Sequence, residues 1–497
     1  MLAQLTRRKS VDDAHADSER PEGALKRSLS AIDLTALGIG AIIGAGVFSS
    51  TGTAAAGKFD PVTHELLRVG AGPALILSYG LTAIACGFAA LCYAEMAAMI
   101  PIAGSAYTYA YVTLGEFLAW VIGWDLILEY AVGNVAVAAS WSSYFQDFLG
   151  GFNIHLPAWL GTTYVTATPE ILKQSPHIFG LPIILNIPAF LIVALLTVLL
   201  VVGIKESARL NTIMVVLKVL LVLGFIAAGA FYVKPENWHP FAPHGFNGIM
   251  TGASLVFFAY IGFDAVSTTA EEAKNPQRDL PIGMIASLIV CTILYVALTA
   301  VLTGITHYTK LGVADPLTVA LHDAHLEKMA GVMSFGAVIA MTAVLLVFQL
   351  GQPRIFLSMA RDGLLPAKFF GAVHPRFRTP WKSTILTGAV VGGAAMFADI
   401  NDFIEFTNIG TLFAFVLVSA GVIALRKYDP DRPRPFRCPW VPVVPILSII
   451  SCIALMAYLP WKSWFRFFVW MAAGLIIYFT YSRGRSRLAT THAKVTR

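Results

Sequence analysis

The sequence predicts an all-α polytopic membrane protein with twelve transmembrane helices. Of its 497 residues, 57% are hydrophobic and only 13% charged, about half the charge of an ordinary soluble chain. Apolar runs of about 20 residues, enough for a helix to cross a ~30 Å hydrocarbon core, recur along most of the length. That recurrence excludes a soluble protein with one oversized core. Lys and Arg gather in alternate loops, as they do when topology, and not nucleic acid, dictates their place.

The elements follow in order. Segment 1–30 is polar, has no apolar stretch of the signal-peptide kind, and reads as a mostly disordered cytoplasmic tail. Spans are expected at 32–56, 72–98, 116–147, 183–203, 209–233, 246–270, 280–305, 331–359, 382–399, 401–426, 441–460 and 463–482, with a tail at 483–497. The loop 148–182, rich in proline, reads as an ordered external segment. With the N-terminus inside, inner segments hold 26 Lys and Arg and outer ones 8, Lys218 lying within a span. Both termini are therefore expected in the cytoplasm of a cell-membrane protein.

Several function classes are disfavoured by what the spans contain. All 11 histidines fall in tails or loops, and no HExxH, GxSxG or clustered ligand set appears, which argues against an enzyme, a metal site or a cofactor. The five cysteines form no CxxC and read as small core residues. A channel would need a ring of repeated charges, and a sensor would need an output domain that the short tails cannot build.

Two spans interrupt their own helical pattern. Gly38, Gly40, Gly44 and Gly46 crowd the first, and the sixth places Gly262 beside Asp264 in an apolar run. Glycine weakens a helix, and backbone released inside a bilayer must find new partners. Close GxxxG-type packing is the simpler account of either segment alone. Their positions say more, because each opens a block of five spans, 31–233 and 246–427, and odd-numbered blocks cross the membrane in opposite senses. Matching broken helices in two inverted halves point to a transport site at the midplane. Free N–H groups of one half-helix can hold a carboxylate and unpaired carbonyls an ammonium, which suits the zwitterionic head of an α-amino acid.

At these residues the sequence resembles the amino acid–polyamine–organocation superfamily. The resemblance rests on Gly38–Phe48, Pro101–Tyr107, Gly203–Arg209, Phe257–Asp264 with Ala270–Pro276, and Arg361–Pro366. Gly123–Tyr130 is similar to the cationic amino acid transporter family and its bacterial relatives. The resemblance implies a LeuT-like fold of five plus five inverted spans, with 441–482 as two added helices. It also implies a substrate site on Ile42, Ile43, Gly44, Ala45 and Gly46, where the Ile42 carbonyl and the Ala45 and Gly46 amides hold the amino-acid head. Ala259 and Ile261 carbonyls would complete the ammonium site, and Phe258 would close over the substrate.

Four ionisable groups lie inside spans: Asp125, Glu129, Lys218 and Asp264. Each costs at least ~2.5–3.5 kcal/mol at the bilayer centre, so each needs a partner or a task. Asp125 and Glu129, four apart, share a helical face with Gly133 and Trp124 nearby, as hydrogen-bond anchors or as substrate and gate contacts. Glu116, Lys205 and Glu206 read as interfacial, and Glu271 and Glu272 as a cap or gate. Lys218 lies ~13 Å inside the edge marked by Arg209. Proton-coupled members of the resembled superfamily carry a lysine at the matching place, which implies a proton-coupling role through the first-span carbonyls around Ile43, the alternative being a structural pin. The stretch Thr342–Gln349, including Phe348, would face the substrate side chain and offers no carboxylate. A buried guanidinium without a countercharge is costly, so neutral L-amino acids are favoured. Carriage of Arg or Lys, with Glu129 or Asp264 as countercharge, or amino-acid exchange is the alternative. The expected partners are an amino acid, the proton and membrane lipids.

Overall fold

The computed structural model describes residues 7–9, 27, 29–59, 65–101, 105–202 and 208–487. The first span begins at a capping box, in which Ser30 and Asp33 each bond the other's main-chain amide. It comprises α1 (Ala31–Ile42), a π turn over Gly46–Ser50 and α2 (Thr51–Ala56). The second is α3 (Leu75–Met99), followed by α4 (Ser105–Thr113) along the N-terminal face. The third is α5 (Glu116–Ile127) and α6 (Gly133–Gly150), joined by a π turn over Leu128–Val132. The loop 148–182 is ordered, with short helices α7 (Ala158–Gly161) and α8 (Pro169–Gln174) and a two-stranded hairpin, His177–Ile178 with Leu181–Pro182.

The fourth and fifth spans are α9 (Ile187–Val202) and α10 (Ala208–Gly229). The sixth is α11 (Gly245–Val256), a 3₁₀ turn over Phe257–Tyr260 and a second 3₁₀ stretch, Asp264–Glu272. Then come α12 (Pro276–Ile305), the loop helix α13 (Pro316–Asp323), α14 (Glu327–Arg361), α15 (Ala367–Phe370), α16 (Trp381–Ala395), α17 (Ile400–Tyr428), α18 (Val443–Ala457) and α19 (Trp461–Ile477). Among the described residues, nine helices are long and apolar enough to cross a membrane; α9 and α18 are shorter apolar ones. Each of the twelve expected spans coincides with a helical segment among the described residues, and the chain is a multi-pass all-α membrane protein.

Packing follows a five-span offset. α12 lies against α1, and α11 lies against α3, so spans one with seven and two with six are equivalent pairs. The third span packs on the eighth (α6 on α14) and the fourth on the ninth (α9 on α16). The fifth touches the eighth (α10 on α14) as the tenth touches the third (α17 on α6). Small residues permit this closeness: a Cβ on Gly283 would sit 2.9 Å from Leu34, and one on Gly252 2.8 Å from Ser78.

The expected tail is partly placed. Glu116 N–H donates to Arg7 C=O (2.8 Å) and Lys9 N–H to Tyr111 C=O (3.3 Å). From the other end of the chain, Arg487 N–H donates to Asp362 C=O (3.0 Å), while Lys9 Nζ lies 3.8 Å from Asp362 Oδ1. Lys205, Glu206 and most of 1–30 and 483–497 lie outside the described residues, as does the Glu271 side chain.

Candidate functional site

The first span leaves helical geometry at Ile43, whose ψ is 102°. Ile43 N–H still reaches Ile39 C=O, and Val47 and Phe48 N–H both turn to Gly44 C=O. Between them the amides of Gly44, Ala45 and Gly46 take no main-chain acceptor among the described residues. Three released donors at the start of a half-helix form an anion cradle.

The carbonyls released by the same break acquire side-chain donors. In an unbroken helix Gly40 C=O would accept from Gly44 and Ile42 C=O from Gly46. Here Lys218 Nζ donates to Gly40 C=O at 2.6 Å, and Tyr295 OH to Ile42 C=O at 3.0 Å. This corrects the position expected for Lys218: it meets the carbonyl of Gly40, three residues before Ile43, because that is a carbonyl orphaned by the break. Ile42 C=O retains a second lone pair.

The sixth span breaks opposite. Ile261 adopts ψ 133° and Gly262 φ +120°, a conformation that a side chain would strain. Asp264 Oδ1 accepts from Gly262 N–H (3.3 Å), and Asn408 Nδ2 donates to the carbonyls of Ser254 (2.8 Å) and Leu255 (3.1 Å), so polar side chains fix both halves. The two breaks touch. A Cβ on Gly46 would lie 2.3 Å from Ala259 Cα, and one on Gly262 2.9 Å from the Ala41 carbonyl. Ile42, Ile43, Ala45, Phe258, Ala259, Ile261 and Lys218 are all buried. Phe257 is held by Phe415, and Tyr260 by Tyr79 and Tyr295, whereas no ring contact holds Phe258 among the described residues.

Of the stretch Thr342–Gln349, Val344 and Phe348 face the breaks and the third span. Val344 Cγ2 would lie 2.8 Å from a Cβ on Gly44, and the Phe348 ring meets Tyr130 edge to face at 5.6 Å. Gln349 turns away to Thr197 on α9. Glu129 and Asp264 are fully buried and interact with each other across the third and sixth spans. Asp125 is buried beside Gly410, while Trp124 faces outward and stacks on Trp470 at 4.5 Å, so it does not share their face. The π turn that carries Glu129 was not foreseen. Its widened ring admits Thr407 Oγ1, which donates to Leu128 C=O at 3.2 Å.

Both approaches to the breaks are closed. On the N-terminal side Tyr93 meets Phe263 and Phe415 edge to face, and those two rings pack tilted on each other, all within 6.0 Å. On the opposite side Tyr144 OH holds Phe48 C=O (2.6 Å), and Ser49 Oγ reaches both Ser140 and the Ala314 carbonyl just before α13. Beyond it, Lys58 pairs with Asp399 (2.8 Å) and Arg68 with Glu405.

Residues 29–481 match the family described as amino acid permease. The chain belongs to that family. The branched-chain amino acid permease BcaP of Bacillus subtilis (strain 168) is 49% identical over 98% of this chain and 100% of its own length. The methylthioribose transporter of the same organism is 46% identical with the same coverage. The vacuolar cationic amino acid transporter 4 of Arabidopsis thaliana is 39% identical over 86% of this chain and 68% of its own. As a permease of this superfamily with the LeuT-like fold, the chain transports amino acids, and its two broken spans are the elements that the sequence singled out. Tyr295 and Thr407 were missed in this permease; each is an ordinary residue in an apolar run until the opposing break is known.

Proposed function

We propose that this permease takes up neutral, aliphatic L-amino acids by alternating access, driven by protons. The observation that carries the reading is the apposition of Gly46 and Ala259, which brings the released amides of the first span against the broken sixth span, with the apolar side chain of Val344 next to Gly44 and buried Phe258 and Phe348 on the neighbouring elements. Main chain suffices for the amino-acid head, and the apolar wall suits an uncharged side chain. The nearby carboxyl groups, Glu129 and Asp264, face each other. Similarity to a relative named for branched-chain amino acids supports the same preference. Lys218 bonded to Gly40 C=O supports proton coupling, since loss of its proton would weaken the tie between the fifth and first spans. The five-span offset in packing supports 31–233 and 246–427 as inverted repeats, with 441–482 as added helices. The excess of Lys and Arg on the N-terminal face supports a cytoplasmic location for both ends.

Counterflow into proteoliposomes, with an inward proton gradient and no sodium, tests the proposal. Leucine, valine, isoleucine and alanine are expected to compete best, with weaker competition from arginine, lysine and methylthioribose. Strongest competition by arginine overturns the substrate class and shifts attention to Glu129, and stimulation by sodium alone overturns the coupling ion.

A further inference from the structure

The face of α12 turned away from the first span forms a groove of about 550 Å³ at the N-terminal membrane edge. Arg278, Ile282, Ile285 and Ile289 line it at helical spacing, with Pro281 at its mouth and Phe436, from the segment between α17 and α18, as the opposite wall. The other face of α12 is committed, since Gly283 and Ser287 press on Leu34 and Gly38 of α1. From Arg278 to Ile289 is ~16 Å along the helix, about half a hydrocarbon core and so one leaflet deep. Ile282 and Ile289 are exposed.

Two polar features stand at the mouth. Arg278 is exposed and makes no ion pair among the described residues; the adjacent Asp279 is buried and accepts from Asn275 N–H (3.2 Å). Arg437, next to Phe436, is likewise exposed. Pro281 removes the N–H that Gln277 C=O would take in an uninterrupted helix, so the usual i+4 donor is missing at the same place. A guanidinium without an ion-pair partner among the described residues, a carbonyl deprived of its i+4 helical donor and a one-leaflet apolar stripe suit one molecule with a phosphate, a hydroxyl and an acyl chain. We propose that this groove binds a single anionic, hydroxyl-bearing phospholipid of the phosphatidylglycerol class. The phosphate sits on Arg278, a headgroup hydroxyl donates to Gln277 C=O, and one chain lies along Ile282, Ile285 and Ile289 against Phe436. The bound lipid braces α12, whose other side carries the Tyr295 contact to the broken first span.

Native mass spectrometry of the delipidated protein, given phosphatidylglycerol and phosphatidylcholine in equal amounts, tests this. One retained equivalent of phosphatidylglycerol is expected, with retention about fivefold lower in Arg278→Gln, the worth of one basic residue near a charged surface, and restored in Arg278→Lys. Ile285→Trp fills the groove and should expel the lipid while leaving Arg278 in place. An unchanged thermal shift with substrate shows that each variant is folded. Equal retention of phosphatidylcholine, as for unselective annular contact, overturns the proposal, and so does phosphatidylglycerol retention that neither Arg278→Gln nor Ile285→Trp lowers.

Discussion

At Gly46 the structure leaves no room for one added carbon. Because a Cβ there would fall 2.3 Å from Ala259 Cα, any side chain must drive the two broken spans apart. Gly46→Leu is expected to abolish uptake at matched membrane expression, and Gly44→Leu to do so by collision with Val344. Normal uptake by both would remove the site from these residues. Lys218 gives the complementary test. Truncation to alanine leaves Gly40 C=O buried without its donor, at about 1–3 kcal/mol, so a lower melting temperature is expected whatever its role. Coupling predicts something stability alone does not: Lys218→Ala should still bind substrate, seen as a substrate-dependent thermal shift, yet lose stimulation by an acidic exterior. Accumulation that still follows the proton gradient in this variant would leave Lys218 as a structural pin. These residues were legible for different reasons. Glycines in an apolar run and a lysine far from any edge break the local rule that a bilayer imposes, and a broken rule shows in sequence. Tyr295 obeys that rule, and its contact with Ile42 is invisible until the fold is formed.

Among the elements, α13 is the cover on the side away from the termini. Its last turn carries His322, whose Nδ1 lies 2.7 Å from Glu327 Oε2 at the start of α14 and whose Nε2 lies 3.5 Å from Asp147 Oδ1 at the end of α6. Partial burial pulls the imidazole pKa down, but the bond to Glu327 and the charges of Glu327 and Asp147 outweigh it and hold the pKa above the ordinary value. Lys310, paired with Asp323 at 3.4 Å, is the neighbouring cation. A raised pKa means that the clamp contributes fully below the ordinary histidine range, ~6.5, and is lost as pH rises through the raised value. Hydrogen exchange at α13, corrected for intrinsic rate, should therefore quicken as the outer pH climbs from 6 to 8 in the wild type and stay level in His322→Gln. Equal pH dependence in both would show that another group fixes the cover. Neither α13 nor α4 was foreseen as a helix, since each is too short for its periodicity to stand out from a loop. The π turn over Leu128–Val132 escaped for a different reason: the Thr407 hydroxyl that occupies it comes from the tenth span, 279 residues away.

For the molecule as a whole, sidedness is the first quantity to measure. The five native cysteines are buried, which leaves a quiet background for labelling. His177→Cys, in the hairpin after the third span, should react with an impermeant maleimide in intact cells, and Arg487→Cys only after permeabilisation. The reverse pattern would invert the orientation drawn from the Lys and Arg distribution. The junction at Asp362 has a practical consequence. This one aspartate lies 3.8 Å from Lys9 through its side chain and accepts from Arg487 N–H through its main chain, so residues from the first ten and from the last described turn of the chain converge on one rim of the bundle. Fluorophores placed at Lys9 and Arg487 start close together, and if alternating access opens that rim the energy transfer between them should fall once per cycle, which would time single turnovers without any label on the amino acid.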